Sequence, residues 1–385
     1  MQRKITLLAL AASSFILSSC TSLLQTQTSL QKATGQLPPR AYVLNLPQNS
    51  DRIKTTIYAG GNMLTTNPNP WGTRYKDYVF TDFDITTTVF KKNAPTHNGG
   101  SKNLIMDIFT PKNDAEKKRP CILYIFGGGF SMKVDDCTTE ICKGMAQKGY
   151  VVAAMDYRIG FPNELLAGQC QGDYNKGFYP AVVRAVQDAR SAVRYLKANA
   201  EQLGIDPNKI FVGGQSAGAI TSLGLVLYED KDFPVEVLGQ AQGTLDPMKD
   251  YMQYDTKVAG IFPLAGAIIT PSVLTKKTST PICLITGSCD ELIDPYIGTA
   301  YKCKQKNTFP DIAGGAAIYE AMKNINTVKL NLICGGGHGM GSVGFNKLLD
   351  LVSNFTYSVL NGKPQSGKEI IPADAPVCTD INTCK

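Results

Sequence analysis

Ser216 stands in Gly214-Gln215-Ser216-Ala217-Gly218, a Gly-x-Ser-x-Gly spacing entered from the apolar run Ile210-Phe211-Val212. A serine hydroxyl is a weak nucleophile until a base takes its proton, and it must stand clear of its own backbone to meet a substrate. A strand, a sharp turn and a helix meet the second demand: Ser216 sits at the tip, and Gly214 and Gly218 let neighbouring chain pass close. The backbone N–H of Ala217, at the start of the helix read over 217–227, points where a tetrahedral oxyanion would form. The base is usually a histidine, and the chain holds two. His97 falls in a polar turn. His338 stands in Cys334-Gly335-Gly336-Gly337-His338-Gly339, directly after an apolar run, where a histidine flanked by glycines can face the same edge as Ser216. An acid must then hold the imidazole tautomer. The stretch after 281–286 offers Asp290, Glu291 and Asp294. Asp290 is favoured because it follows the strand end closely, whereas Asp294 precedes a proline and reads as a turn former. The run Phe126-Gly127-Gly128-Gly129-Phe130 follows an earlier apolar strand, and the backbone N–H groups of Gly128 and Gly129 could approach a substrate with no Cβ in the way.

Such groups act together only if their strands end on one edge of one sheet. Residues 77–89 and 103–109 alternate apolar and polar side chains around a polar turn at 93–102, which reads as an antiparallel hairpin. A first strand is expected at 55–64. After Pro111 the apolar runs at 121–126, 150–155, 258–265, 281–286 and 328–333 read as strands buried on both faces. They alternate with helical patterns at 138–148, 181–200, 217–227, 315–324 and 343–360. Asp206-Pro207-Asn208 reads as a turn into the strand before Ser216. The pattern predicts an α/β domain over 55–360: a mostly parallel, twisted sheet opened by the hairpin, with helices on both faces and ligands at the carboxyl ends of the strands. In the 181–200 helix, Val182, Ala185, Val186, Ala189, Val193 and Leu196 form the apolar stripe, and Arg184, Arg190, Arg194 and Lys197 read as a solvated face. Residues 158–179, with Tyr174, Phe178 and Tyr179, and residues 228–257 are expected to wall the substrate pocket. Residues 361–385 read as a tail that wraps the surface, pinned by a disulfide.

At 385 residues with 43% hydrophobic content, the chain can bury a full-sized core. The net charge of +7 is scattered, without a basic stripe interleaved with aromatics, so no nucleic-acid partner is expected. Two histidines and no Cys-x-x-Cys argue against a metal site, and the chemistry of the serine needs no cofactor. At the N-terminus, Arg3 and Lys4 precede an apolar run over 5–17, too short to span a bilayer, which ends in Leu17-Ser18-Ser19-Cys20. This resembles a bacterial lipoprotein signal peptide. The resemblance implies removal of 1–19, lipidation of Cys20, a tether over 20–54, and an exported protein held at the outer membrane, since Thr21 rather than an acidic residue follows the cysteine. The eleven cysteines leave an even number once Cys20 is lipidated, as disulfides in an exported protein require. Cys137/Cys142, Cys283/Cys289 and Cys378/Cys384 are close in sequence, although Cys121 and Cys283 fall inside apolar strands and read equally as buried thiols.

Taken together, the motifs resemble the carboxylesterase and hormone-sensitive-lipase-like branches of the α/β-hydrolase superfamily over roughly residues 78–357. The lead-in strand Asn103-Leu104-Ile105-Met106-Asp107-Ile108-Phe109-Thr110-Pro111 is similar to the family's, as are the Phe126–Phe130 block, Asp156-Tyr157-Arg158, Gln187-Asp188-Ala189-Arg190, Gly204-Ile205-Asp206-Pro207 and the Ser216 pentapeptide, with Asp290 and His338 in the family's order. The resemblance implies an α/β-hydrolase fold, a Ser216–His338–Asp290 triad, and an oxyanion hole of Gly128, Gly129 and Ala217. It makes Tyr157, Arg158 and Asp188 framework residues. Phe126 departs from the histidine common there and must hold its loop by packing. Gln215 replaces the usual acidic residue, with no partner inferable. The exported, anchored location and the lack of a long apolar lid point to short-to-medium acyl esters, including acetyl or hydroxycinnamoyl groups on carbohydrate. A prolyl-oligopeptidase-like peptidase and a non-catalytic binding lipoprotein on the same fold are the rival expectations.

Overall fold

The computed structural model describes residues 72–133, 136–161, 176–246, 251–300, 310–378 and 384. The signal segment, Cys20, the tether, the strand expected at 55–64 and residues 162–175 lie outside the described residues.

Twelve strands are present among the described residues: β1 (Phe83–Pro95), β2 (Ser101–Pro111), β3 (Arg119–Ile125), β4 (Val151–Met155), β5 (Ile205–Gln215), β6 (Gly260–Leu264), β7 (Ala267–Ile268), β8 (Ile282–Gly287), β9 (Ile297–Thr299), β10 (Asp311–Gly314), β11 (Val328–Cys334) and β12 (Gly367–Pro372). Nine of them form one sheet in the order β1-β2-β4-β3-β5-β6-β8-β11-β12, and β7, β10 and β9 form a small second sheet. β1 and β2 pair antiparallel, β2 pairs antiparallel with β4, and every later neighbour pair in the large sheet is parallel.

Side chains that alternate along each strand send half of the apolar residues to each face. Leu123 and Ile125 of β3 join Val212, Leu284 and Leu332 in one core, while Ile122 and Tyr124 join Phe211, Ile285 and Ile333 in the other. Helices α2 (Phe178–Ala198), α3 (Ala217–Leu227) and α5 (Gly315–Met322) pack on the first face. Helices α1 (Asp136–Gln147) and α6 (Phe345–Leu360) pack on the second. Between α3 and α5, the short helix α4 (Val235–Gln240) sits in the segment after α3. Both faces are therefore covered, which is why the central strands read as continuous apolar runs.

Three expectations need correction. Asp206-Pro207-Asn208 lies inside β5: Asp206 accepts the Asn208 N–H at 2.9 Å, and the pairing with β3 jumps from Arg119↔Ile205 to Cys121↔Ile210, so the turn signal makes a bulge rather than a strand boundary. The tail adds a ninth strand, β12, parallel to β11 from Lys329↔Gly367 to Cys334↔Pro372. Finally, the basic residues of α2 are not a solvated face. Arg184 is 2% and Arg194 5% exposed. Arg184 donates to the carbonyls of Gln240 and Gly160, Arg190 to that of Tyr228, and Arg194 to that of Tyr254 and to Asp246, while Lys197 pairs with Asp255. These long side chains fasten the 228–255 segment onto the helix.

Asp188 joins α2 to Arg158, in the segment after β4, and to Lys91 of the hairpin. Asp188 is fully buried and receives the Arg158 backbone N–H at 2.9 Å, the Arg158 Nε at 2.9 Å and the Lys91 ammonium at 2.7 Å. Burial alone would raise the Asp188 pKa, but the two cations and their hydrogen bonds hold it below the ordinary carboxylate value. Removing one partner of a buried pair leaves uncompensated charge. Asp188→Ala is therefore expected to cost about 3–5 kcal/mol in urea unfolding; a loss under about 1 kcal/mol, the scale of an exposed pair, would show that the network contributes little.

Candidate active site

Parallel pairing brings the carboxyl ends of the central strands level, with Ile125 opposite Gly214, Gln215 opposite Leu264 and Gly287 opposite Ile333. The loops that follow β3, β5, β8 and β11 therefore emerge on one edge, and each carries a residue singled out above.

Ser216 occupies the turn between β5 and α3 with φ 56° and ψ −116°, a region that costs a side-chain-bearing residue of order 1–3 kcal/mol. Its N–H donates to Leu264 O at 2.9 Å, and its carbonyl accepts the Ile220 N–H at 2.9 Å. Helix α3 is apolar almost all round, with Ile220 and Leu223 buried. Each such side chain contributes about 1.5–3 kcal/mol, so two of them outweigh the strain. The flanking glycines are required by space: a Cβ on Gly214 would lie 2.4 Å, and one on Gly218 2.0 Å, from Ile125 O.

His338 Nε2 lies 2.9 Å from Ser216 Oγ, and His338 Nδ1 lies 2.8 Å from Asp290 Oδ2 and 3.0 Å from Oδ1. A carboxylate only accepts, so Nδ1 carries the proton and Nε2 presents its lone pair to the serine hydroxyl. Asp290 is held in turn, its Oδ1 accepting the N–H groups of Leu292 at 2.9 Å and Ile293 at 2.8 Å. Both the imidazole and the carboxylate are buried. Burial alone would lower the His338 pKa, but the charge and hydrogen bond of Asp290, with the charge of Glu291 behind them, raise it above the ordinary value. His97 shifts the other way, lowered by partial burial and by Arg184, and it sits exposed beyond Pro95 at the end of β1.

The glycine loop after β3 lies against the serine: a Cβ on Gly127 would stand 3.1 Å from Gln215 O and 3.5 Å from Ser216 Cβ. Gly128 adopts φ 120°, and a Cβ there would fall 2.1 Å from Met132 O, so only glycine fits. Gly128 O receives the N–H groups of Ser131 and Met132, both at 3.1 Å, which fixes the loop's shape. Ala217 is the first residue of α3, where an amide has no partner within the helix by position. Phe126 anchors the loop by packing. Its ring stacks on Tyr157 at 4.2 Å, Lys133 sits over its face, and the Tyr157 hydroxyl donates to its carbonyl at 3.3 Å. Phe130 meets Tyr157 and Phe178 edge-on, which makes Phe178 a buried prop for this loop rather than pocket lining.

Four features escaped the sequence reading. Gln215 finds a partner, its Nε2 donating to His338 O at 3.4 Å. Glu291 accepts the His338 N–H at 3.1 Å and so grips the histidine's main chain. Gly287 ends β8 where a Cβ would lie 2.3 Å from Gly336 O, which lets the histidine loop cross directly above it. The disulfides join Cys289 to Cys378 and Cys334 to Cys384. The sequence-adjacent pairs Cys283/Cys289 and Cys378/Cys384 are therefore not the bonded ones: Cys283 points into the core, and Cys378 and Cys384, which follow β12, meet cysteines at the ends of β8 and β11. Cys121 and Cys283 are buried thiols, and burial pushes the Cys283 pKa up to about 12. The side chain of Cys137 lies outside the described residues. Asp294 caps a turn through the Tyr296 N–H, in keeping with its turn-forming reading. A polar cavity of about 370 Å³ lined by Lys76, Tyr78, Lys148 and Asp350 lies at the amino end of β4, on the opposite edge from Ser216. Among the described residues no cluster of three or more metal-ligating side chains occurs.

A family model described as BD-FAE matches residues 106–254, which take in the glycine loop and Ser216. Gut esterase 1 of Caenorhabditis elegans is 29% identical over 154 residues, 40% of this chain and 25% of that protein. Fumonisin B1 esterase of Sphingopyxis macrogoltabida is 31% identical over 124 residues, 32% of this chain and 22% of that protein. The chain thus spans about a quarter of the length of the curated relatives it matches. Among solved structures, the apo form of Thermogutta terrifontis esterase 2 aligns with a TM-score of 0.52 and 20% identity, covering 74% of this chain and 97% of that one. The chain has the α/β-hydrolase fold.

The two histidines offer a direct check of the site's electrostatics. In a ¹⁵N-NMR titration, His338 is expected to titrate above 6.5 and His97 below it. Asp290→Asn should bring His338 down, because burial then acts with less opposing charge. A His338 value unmoved by that substitution would show that Asp290 does not hold the imidazolium.

Proposed function

We propose that this chain is a serine carboxylesterase that works through a Ser216–His338–Asp290 triad and an acyl-enzyme. The observation that carries the reading is the unbroken relay at the sheet edge: hydroxyl, imidazole and carboxylate within 2.8–2.9 Å of one another in sequence. The esterase relatives support it. Ser216 Oγ attacks the ester carbonyl carbon while His338 Nε2 takes its proton. The oxyanion forms within reach of the backbone N–H groups of Ala217, Gly128 and Gly129. Collapse expels the alcohol, which receives that proton from His338. A water then gives its proton to His338 and attacks the acyl carbon, and collapse expels Ser216 Oγ, which takes that proton back from His338 as the carboxylic acid is released. Asp290 stays ionised throughout and stabilises the imidazolium. A buried site strengthens each of these charge interactions.

The acyl groups we propose are short to medium, including acetyl and hydroxycinnamoyl groups on carbohydrate. What supports this is sequence-level: the exported location and the modest length of the 158–179 and 228–257 segments. Export and a lipid anchor at Cys20 are likewise proposed from the N-terminal sequence, and two disulfides suit an oxidising compartment. Labelled palmitate should enter the chain made in a lipoprotein-processing bacterium and be lost in Cys20→Ala; equal labelling of both would remove the anchor.

Hydrolysis of p-nitrophenyl acetate, butyrate and octanoate tests the central claim. Ser216→Ala is expected to lower kcat about 10⁶-fold and Asp290→Asn about 10⁴-fold. Activity should also fall as pH drops through the raised His338 pKa, since only neutral imidazole accepts the serine proton. No difference between wild type and Ser216→Ala on any ester would sink the proposal and direct attention to peptides or binding partners.

A further inference from the structure

Among the described residues, the C-terminal tail is bonded to the two loops that hold the acid and the histidine, and to neither of the loops that hold the serine and the glycines. Cys378 is disulfide-linked to Cys289, the neighbour of Asp290 in sequence. Cys384 is linked to Cys334, the last residue of β11 and the root of the Gly335–His338 loop. Between these bonds and β12, the tail lies along the histidine loop. The Ala373 N–H donates to Cys334 O at 2.9 Å, the Asp374 N–H to Ser342 O at 2.6 Å and the Val377 N–H to Gly335 O at 2.8 Å. The packing is as close as the hydrogen bonding. A Cβ on Gly335 would lie 2.7 Å from Pro376 Cβ, and one on Gly337 would lie 3.2 Å from a Val377 methyl and 3.0 Å from Glu291 Oε2. Gly335 itself takes φ +80°, a conformation that favours glycine, and Gly335-Gly336-Gly337 carry no side chains with which to pack the loop in place. The acid and histidine loops are also joined to each other, by the Cys289 N–H to Gly336 O at 2.8 Å and the Gly335 N–H to Ser288 Oγ at 2.9 Å.

We infer that residues 367–378 and Cys384, with their two disulfides, are a clamp that positions Asp290 and His338 against each other and makes turnover depend on the oxidation state of those bonds. The inference rests on the triad reading above. A loop of Gly335-Gly336-Gly337 could hold an imidazole in many places, and a misplacement near 1 Å costs about 10²-fold in rate. The tail removes that freedom from outside, while Ser216 and Gly128 are set by β3, β5 and α3 and stay where they are when the tail lets go. Reduction proceeds by a dithiol such as dithiothreitol: one thiolate attacks a bridge sulfur, the mixed disulfide closes to the cyclic disulfide of the reagent, and two protein thiols are left per bridge. Cys289, Cys334, Cys378 and the tail backbone are positioning elements in this scheme, since none touches the reacting atoms.

The test compares oxidised wild type, dithiothreitol-reduced wild type, reoxidised wild type, and the variant carrying Cys289→Ser, Cys334→Ser, Cys378→Ser and Cys384→Ser. Assays use p-nitrophenyl butyrate, with amide hydrogen exchange measured alongside. The clamp predicts that kcat falls about 10²-fold in the reduced and serine forms while KM stays within about twofold, as for an interaction made in the transition state. The acid limb of kcat/KM should move to lower pH, because Asp290 and Glu291 no longer hold the His338 pKa up. Exchange should quicken in 334–343 but not in 205–215, and reoxidation should restore all of these. Unchanged kcat and acid limb would overturn the clamp. So would equal quickening in 205–215, because the bridges would then hold the whole domain rather than the acid–histidine half. An oxidised wild type that hydrolyses no ester counts against the esterase reading instead, and the exchange comparison then decides the clamp alone.

Discussion

The backbone of Ser216 is the constraint on which the rest of the site depends. At φ 56° and ψ −116° the residue turns the chain from β5 into α3 within one position. The turn is held by the Leu264 carbonyl of the neighbouring strand and by the buried flanks of α3. No local interaction would keep a serine there, so the strain is offset by the core on both sides of it. The same close approach fixes Gly214 and Gly218 against Ile125, and with them the separation of β3 from β5. Once that separation is set, the Gly127–Gly129 loop has nowhere to go but against the serine.

The acid and the histidine arrive by a different route. They come from β8 and β11, on the far side of β6 from the serine, and the histidine loop is rich in glycine. Burial works against a charged imidazole, and only the near contact of Asp290, supported by Glu291, reverses that tendency. The electrostatic balance at His338 therefore depends on how close Asp290 lies to the imidazole. Gly287 beneath the loop, Gln215 beside it and the tail above it are the contacts that keep it in place.

Charged residues on α2 follow the same logic on the other side of the molecule. A helix that sits under a long surface segment can bury its cations if that segment supplies carbonyls and carboxylates, and 228–255 does so for Arg184, Arg190, Arg194 and Lys197. Asp188 does it for Arg158 and Lys91 from within the helix. That segment is thus held by charge pairing and hydrogen bonds, whereas the sheet beneath α2 rests on apolar packing.

What the sequence determined by itself is whatever rests on local pattern. Apolar runs bounded by turns marked β3, β4, β6, β8 and β11, and period-two alternation marked the hairpin. Gly-x-Ser-x-Gly, the triple glycine and the glycine-flanked histidine marked loops whose chemistry requires that spacing, and they emerge on one edge because parallel strands share a direction. Tertiary structure decided the features that depend on which segments meet. The partner of Gln215, the grip of Glu291 on the His338 main chain, the burial of the α2 arginines and the cysteine pairing all join residues at least 24 positions apart. β12 was equally hidden, because a six-residue edge strand with mostly exposed side chains has no hydrophobic signature. Its place is set by backbone hydrogen bonds to β11, which every sequence can make and which only the assembled sheet edge selects.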